Sequence, residues 1–187
     1  MTGSKVPCKI LTPKFTLVIG GARSGKSGFA EGLAIASRRA RRYIATAQAW
    51  DDEMRARIAR HRDQRGDGWL TVEAPLDLAS ALAQATSDEV VLVDCATLWL
   101  SNQLLADADL ATEAKVLLTA VTDCTAPVIV VSNEVGWSIV PDNALARRFR
   151  DAQGRLNQQM AAQADLVVAV MAGLPIVLKG HLPDAAP

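Results

Sequence analysis

The stretch FTLVIGGARSGKS, from Phe15 to Ser27, constrains the fold more than any other part of the chain. Its apolar start, 15–19, predicts a buried strand, and the strand feeds directly into Gly20, Gly21, Ala22, Arg23, Ser24, Gly25, Lys26 and Ser27. That run fits G-x-x-x-x-G-K-[ST], the pattern of a phosphate-binding loop. Glycines let the backbone curl so that N–H groups point into one concavity, which suits anionic oxygens. Lys26 then reaches the β and γ phosphates, and the Ser27 hydroxyl is placed to ligate Mg²⁺ where a helix begins with its positive end toward the phosphates. The alanine-rich stretch 29–37 supplies that helix and separates the motif from a chance glycine turn.

With 187 residues the chain is expected to form one domain, 15–180, between a flexible N-terminal tail, 1–14, and a C-terminal tail, 181–187. Half of the residues are hydrophobic but only 4% are aromatic, so the core is to be built from Val, Leu, Ile and Ala. A net charge of zero argues against nucleic acid as a partner. The cysteines, Cys8, Cys95 and Cys124, are scattered and lack metal-ligand spacing, which points to reduced thiols in a cytoplasmic protein. No apolar run approaches the roughly 20 residues of a membrane-spanning helix.

Hydrophobic patterning alternates strands with helices. Strands are expected at 42–46 (RYIAT), 69–73 (WLTVE), 90–94 (VVLVD), 127–132 (PVIVVS), 166–171 and 176–179, with helices over 51–65, 76–85, 97–105, 111–122 and 143–164. The order implies an α/β fold of the P-loop NTPase (RecA-like) type, with a mostly parallel sheet of about seven strands and helices on both faces.

Asp94 ends the apolar run VVLVD. In P-loop enzymes an acid at the end of a neighbouring strand shares the Mg²⁺ held by the loop hydroxyl. The competing reading is an ordinary helix cap, since Asp is favoured there too. Thr97 is a second candidate cap, and Cys95 reads as a packed small residue rather than a nucleophile.

The segment 51–65, DDEMRARIARHRDQR, is the other informative place. Met54, Ile58 and His61 fall at helical spacing and share one face, so His61 points toward the body of the protein. A packed, hydrogen-bonded histidine fits that placement. So does a neutral imidazole that attacks phosphorus beside a nucleotide, with Arg55, Arg57, Arg60, Arg62 and Arg65 balancing phosphate charge. Spacing does not decide between them. Trp137 and Ile139, in the turn-rich stretch NEVGWSIVP, are expected either to contact a substrate or another subunit, or to pack beneath their own loop.

Taken together, GGARSGKS, YIATAQ followed by DDEMRARIARHRDQR, VLVDCATLWLSNQLL, and SNEVGWSIVPDNALARRFRDAQGRLNQQMA resemble the bifunctional adenosylcobinamide kinase / adenosylcobinamide-phosphate guanylyltransferase family of cobalamin biosynthesis. The resemblance covers about residues 15 to 180. It implies phosphorylation of the aminopropanol hydroxyl of adenosylcobinamide with ATP or GTP, then transfer of GMP from GTP to that phosphate through a guanylylated histidine. His61 matches that histidine; Arg60 stands where many members have a second one. The resemblance further implies nucleotide contacts at Gly20 through Ser27, at Ala45, Thr46 and Ala47, at Arg62, Asp63, Gln64 and Arg65, and at Glu73 and Asp94. Lys26 joins His61 as catalytic, Ser27 and Asp94 hold Mg²⁺, and the assembly is a homotrimer. A simple small-molecule kinase and a nucleotide-dependent regulatory switch are the competing functional readings.

Overall fold

Strands buried on both faces of a parallel sheet are apolar throughout rather than alternating, and the central strands of this chain are of that kind. The computed structural model describes residues 12–48, 52, 55–56 and 65–184. Seven strands form one sheet: β1 (Phe15–Gly20), β2 (Ala40–Ala45), β3 (Trp69–Glu73), β4 (Glu89–Asp94), β5 (Val128–Asn133), β6 (Leu166–Met171) and β7 (Leu174–Lys179). The described helices are α1 (Lys26–Ala36), α2 (Leu78–Ala83), α3 (Ala96–Leu105), α4 (Leu110–Asp123) and α5 (Ala144–Gln163). The strand order is β3-β2-β4-β5-β1-β6-β7, with every pairing parallel except the closing β6–β7 hairpin.

Alternate residues of each strand feed two apolar layers. Leu17, Ile44, Val91, Val93, Val128 and Val130 pack against α2 to α5. On the opposite face Val18, Tyr43, Leu92, Ile129, Val131 and Val168 meet Phe29, Ala30, Leu33 and Ala34 of α1. Helices therefore cover both faces, as the sequence predicts.

Strands 69–73 and 166–171 match their predicted limits, and the others shift by one or two residues. β2 starts at Ala40 because Ala40 pairs with Glu89 of β4 and Arg41 with Trp69 of β3, and Arg42 is buried against Glu89 with Nη2 and Oε2 3.1 Å apart. α2 is shorter than the predicted 76–85, because the Asp77 side chain accepts from the Ser80 N–H and starts the helix there. β7 begins at Leu174, since Ala172 and Gly173, at φ 52° and 80°, close a two-residue hairpin turn. Its Pro175 is tolerated on an edge strand. Of the predicted helix 51–65, Asp52, Arg55, Ala56 and Arg65 are helical, and the rest, His61 included, lies outside the described residues.

Burial opposes the charged form of Glu89, but hydrogen bonds from Thr86 and Arg42 outweigh it and hold the carboxyl below its ordinary value of 4.5. Removing one partner of a buried pair strands the other charge. Glu89→Ala is expected to lower stability by about 3 kcal/mol at neutral pH, read as the urea midpoint. Because the native value is depressed, the contribution is present above 4.5 and disappears as pH falls through the native value, so wild type and variant converge in acid.

Candidate nucleotide site

Because β1, β2, β3, β4 and β5 run the same way, their C-terminal ends share one edge of the sheet, the edge where open α/β sheets bind ligands. Register places Glu73 opposite Ala45, Ala45 opposite Asp94, Asp94 opposite Val131, and Asn133 opposite Gly20. β5 thus lies between the strand that ends in Asp94 and the strand that enters the phosphate loop.

The loop folds as its glycines require. A Cβ on Gly20 would stand 2.5 Å from the Val170 carbonyl oxygen and 2.6 Å from Ser24 Oγ, so only glycine fits. Gly25 has φ 94° and caps α1, and its carbonyl accepts the Phe29 N–H at 3.0 Å. The Gly173 N–H of the β6–β7 turn donates to the Ser24 carbonyl at 2.9 Å, tying the hairpin to the loop. Lys26 is buried and its Nζ donates to the Gly21 carbonyl at 3.1 Å. Ser27 is half-buried in the first turn of α1, while Gly21, Ala22 and Arg23 are exposed.

Asp94 is half-buried, and its Oδ2 accepts the Tyr43 hydroxyl at 3.1 Å. The residue that caps α3 is Cys95, so Asp94 precedes the cap and Thr97 follows it, and neither acts as one. Burial, and then the nearby Asp94 charge, push the Tyr43 hydroxyl well up, so it stays protonated and donates. Burial and Asp94 also raise the carboxyl of Glu31, which Arg65 opposes. Arg65 lies with its guanidinium carbon 3.5 Å over the Tyr43 ring and donates to Thr71 Oγ1 at 3.2 Å. Trp69 meets Tyr43 edge-on, 6.0 Å between centroids.

Thr46 is committed to the protein. Its hydroxyl donates to the Cys95 carbonyl and accepts the Cys95 N–H, both at 2.8 Å, and its own carbonyl accepts from Asn102 at 2.9 Å. Ala45 and Ala47 are half-buried beside it, and Glu73 is exposed at the end of the edge strand. His61, Arg62, Asp63 and Gln64 lie outside the described residues. Burial pushes the Cys95 thiol up to about 11, which fits a packed residue and not a nucleophile. His181 is exposed.

Sequence reasoning did not find the polar cluster behind the end of β5. Ser132 Oγ donates to Asn157 Oδ1 at 2.6 Å, Gln153 Nε2 donates to both at 2.9 Å, and Asn157 Nδ2 donates to the Asn133 carbonyl at 3.1 Å. Thr97 Oγ1 accepts the Asn133 N–H at 2.7 Å. The available signal was Gln153 and Asn157, one helical turn apart on the face that α5 buries. Beyond this point Trp137 and Ile139 are 81% and 93% exposed, so they do not pack beneath their loop.

A glycine-built anion cradle that opens a helix at the C-terminal edge of a parallel sheet, flanked by an aspartate two strands away, defines a P-loop nucleotide-binding protein. The fold is like that of the RadB recombinase, with a TM-score of 0.50 at 16% identity over 94% of this chain and 86% of that one. A protein of Pyrococcus horikoshii OT3 reaches a TM-score of 0.54 at 10% identity, covering 95% and 92%. In sequence, residues 16–178 match the family described as cobinamide kinase / cobinamide phosphate guanyltransferase, and the chain belongs to that family of enzymes. It is 48% identical to the bifunctional adenosylcobalamin biosynthesis protein CobP of Pseudomonas aeruginosa, over 88% of this chain and 97% of that one. It is 41% identical to CobU of Salmonella typhimurium and 43% identical to CobU of Escherichia coli, each over 87% of this chain and 98% of the relative. Among the described residues no helix is long and apolar enough to cross a membrane.

The two leading glycines give an internal control on this geometry. Gly20→Ala must displace backbone and is expected to cost about 2 kcal/mol and to abolish nucleotide binding. A Cβ on Gly21 meets nothing within 4 Å, so Gly21→Ala is expected to leave the unfolding midpoint unchanged. Thermal unfolding with and without GTP reads both effects.

Proposed function

We propose that the chain phosphorylates the aminopropanol hydroxyl of adenosylcobinamide with ATP or GTP, then transfers GMP from GTP to that phosphate through His61, giving adenosyl-GDP-cobinamide and pyrophosphate. The observation that carries this reading is the loop Gly20 to Ser27 opening α1 on the same sheet edge as Asp94. The curated relatives, all named as bifunctional adenosylcobalamin biosynthesis proteins, support its two-step form.

In the kinase step Lys26, the loop N–H groups and the α1 dipole offset charge on the β and γ phosphates while the substrate hydroxyl attacks the γ phosphorus in line. In the guanylyl step a ring nitrogen of His61 attacks the α phosphorus of GTP. The N–P bond forms as the bond to pyrophosphate breaks, and the loop retains the departing pyrophosphate. An oxygen of adenosylcobinamide phosphate then displaces the histidine and takes the GMP. The nucleotide is held by Gly20 through Ser27, by Arg62, Asp63, Gln64 and Arg65, and by Glu73 and Asp94, and it is bordered by Ala45, Thr46 and Ala47, where Thr46 keeps its hydroxyl, carbonyl and N–H within the protein. Glu73 accepts from the guanine N1 and N2 donors or from the ribose, as only an acceptor can.

Ser27 and Asp94 suit Mg²⁺ as hard oxygen donors, and Tyr43 holds only Oδ2 of Asp94. Mg²⁺ keeps several waters and takes ligands from substrate phosphates, so a hydroxyl and one carboxylate suffice on the protein side. When bound, Mg²⁺ supplies neutralisation of phosphate charge. The protein works in the cytoplasm as a homotrimer. Exposed apolar side chains at Trp137 and Ile139, and at Leu174, Ile176 and Leu178 of β7, supply surface for subunit contact.

Incubation with GTP and Mg²⁺ followed by intact-mass measurement is expected to show an acid-labile gain of one GMP that is lost in His61→Ala. The same variant is expected to retain phosphorylation of adenosylcobinamide, whereas Lys26→Ala loses at least tenfold in both steps. A folded wild-type protein that phosphorylates the corrinoid and never forms the adduct would reduce the reading to a simple kinase.

A further inference from the structure

The hydroxyl that receives the γ-phosphoryl group carries a proton that must leave, and the residues assigned so far offer no acceptor for it. Lys26 is a cation held on a loop carbonyl. Asp94 is engaged by Tyr43 and belongs to a strand separated from the loop strand by β5. Glu31 is placed toward Asp94 and Arg65, and Glu73 lies on the edge strand, beyond β2 and β4.

Glu134 is placed differently. It is the first residue after β5, and β5 is the strand that pairs directly with the loop strand, Asn133 facing Gly20. Its N–H donates to the Gly20 carbonyl at 3.1 Å, so its backbone is bonded to the first residue of the phosphate loop. Its side chain is half-buried, Oε1 accepts the Gly136 N–H at 2.7 Å, and Oε2 accepts from no described residue.

The buried polar cluster converges on this same point. Thr97 accepts the N–H of Asn133 and Asn157 donates to its carbonyl, so both backbone polar groups of the residue preceding Glu134 are held by side chains from α3 and α5. Ser132 and Gln153 hold Asn157 in turn. All four are buried in an otherwise apolar layer, where an unmatched polar group is costly, and of their side-chain polar atoms Gln153 Oε1 alone lacks a partner among the described residues. A hydrophobic set of the same size would pack there. What the polar set adds is a fixed exit direction for the chain at Asn133, and the residue that follows is a glutamate whose backbone is bonded to the phosphate loop.

From this placement we infer that Glu134 is the general base of the kinase step. A lone pair of the substrate hydroxyl oxygen attacks the γ phosphorus while the O–H proton passes to Glu134 Oε2. The bond from the γ phosphorus to the β-bridging oxygen breaks, and its electron pair leaves with the nucleoside diphosphate. Glu134 then releases the proton to solvent. Thr97, Ser132, Gln153 and Asn157 are positioning residues that act through the backbone at Asn133.

The inference rests on the kinase activity and is independent of the histidine relay, and the test keeps the two apart. In Glu134→Gln, kcat for corrinoid phosphorylation is expected to fall at least 100-fold, with the KM for nucleotide and the rate of GMP adduct formation from GTP changed less than threefold. A kcat within tenfold of wild type, or a parallel loss of phosphorylation and adduct formation in a folded protein, overturns the inference. If that variant does not fold, Glu134→Asp decides: it keeps the charge and withdraws it by one methylene, and an unchanged kcat overturns the assignment. Absence of the adduct in the wild-type protein would defeat the role of His61 and leave this result standing.

Discussion

A parallel sheet releases every strand at the same edge, and that constraint creates the site. Hydrogen bonding between β1 and β5 and between β5 and β4 sets the depth at which each chain emerges, so Gly20, Asn133 and Asp94 arrive together. None of these residues has to find the others through a loop. The loop after β1 only has to curl, and Gly20 and Gly25 permit it, one by close approach and one by its left-handed backbone.

The interior behind that edge is not uniformly apolar, and its polar parts do two different jobs. At the start of β2 and β4, Arg42 and Glu89 form a buried ion pair that joins the two strands. At the opposite edge, Thr46 binds the ends of β2 and β4 together through its hydroxyl and its N–H, and Ser132, Gln153 and Asn157 do the same for β5 and α5. A hydrogen-bonded buried network rigidifies what it touches, because a low dielectric strengthens each hydrogen bond and makes its loss costly. The rigid end of the sheet is therefore the end that faces substrate.

This division explains what was legible in the sequence. VVLVD and PVIVVS read as strands because burial on both faces demands unbroken apolar side chains, and Leu92, Val93 and Val130 are fully buried. GGARSGKS read as a phosphate loop because its chemistry is local, every contributing group lying within one turn and the next. The first two residues of β2, Ala40 and Arg41, did not read, since Arg41 looks like a solvated residue until Gly68 and Trp69, far away in sequence, are known to face it. The role of Thr97 did not read either: next to a strand end it resembles a cap, and only the packing of α3 against β5 turns its hydroxyl to Asn133. Pro175 concealed the first residues of β7, because it argues against a strand unless the strand is known to be an edge.

The sheet order also separates the two chemistries. Asp94 stands at the middle of the edge, with β2 and β3 on one side and β5 and β1 on the other. The first side leads, after Ala47, into the segment that contains His61 and ends at Arg65, whose guanidinium lies on the ring of the tyrosine that holds Asp94. The second side carries Lys26 and Glu134. In the proposed division of labour one loop grips the phosphates for both steps, and Lys26 and Glu134 serve the attack at the γ phosphorus.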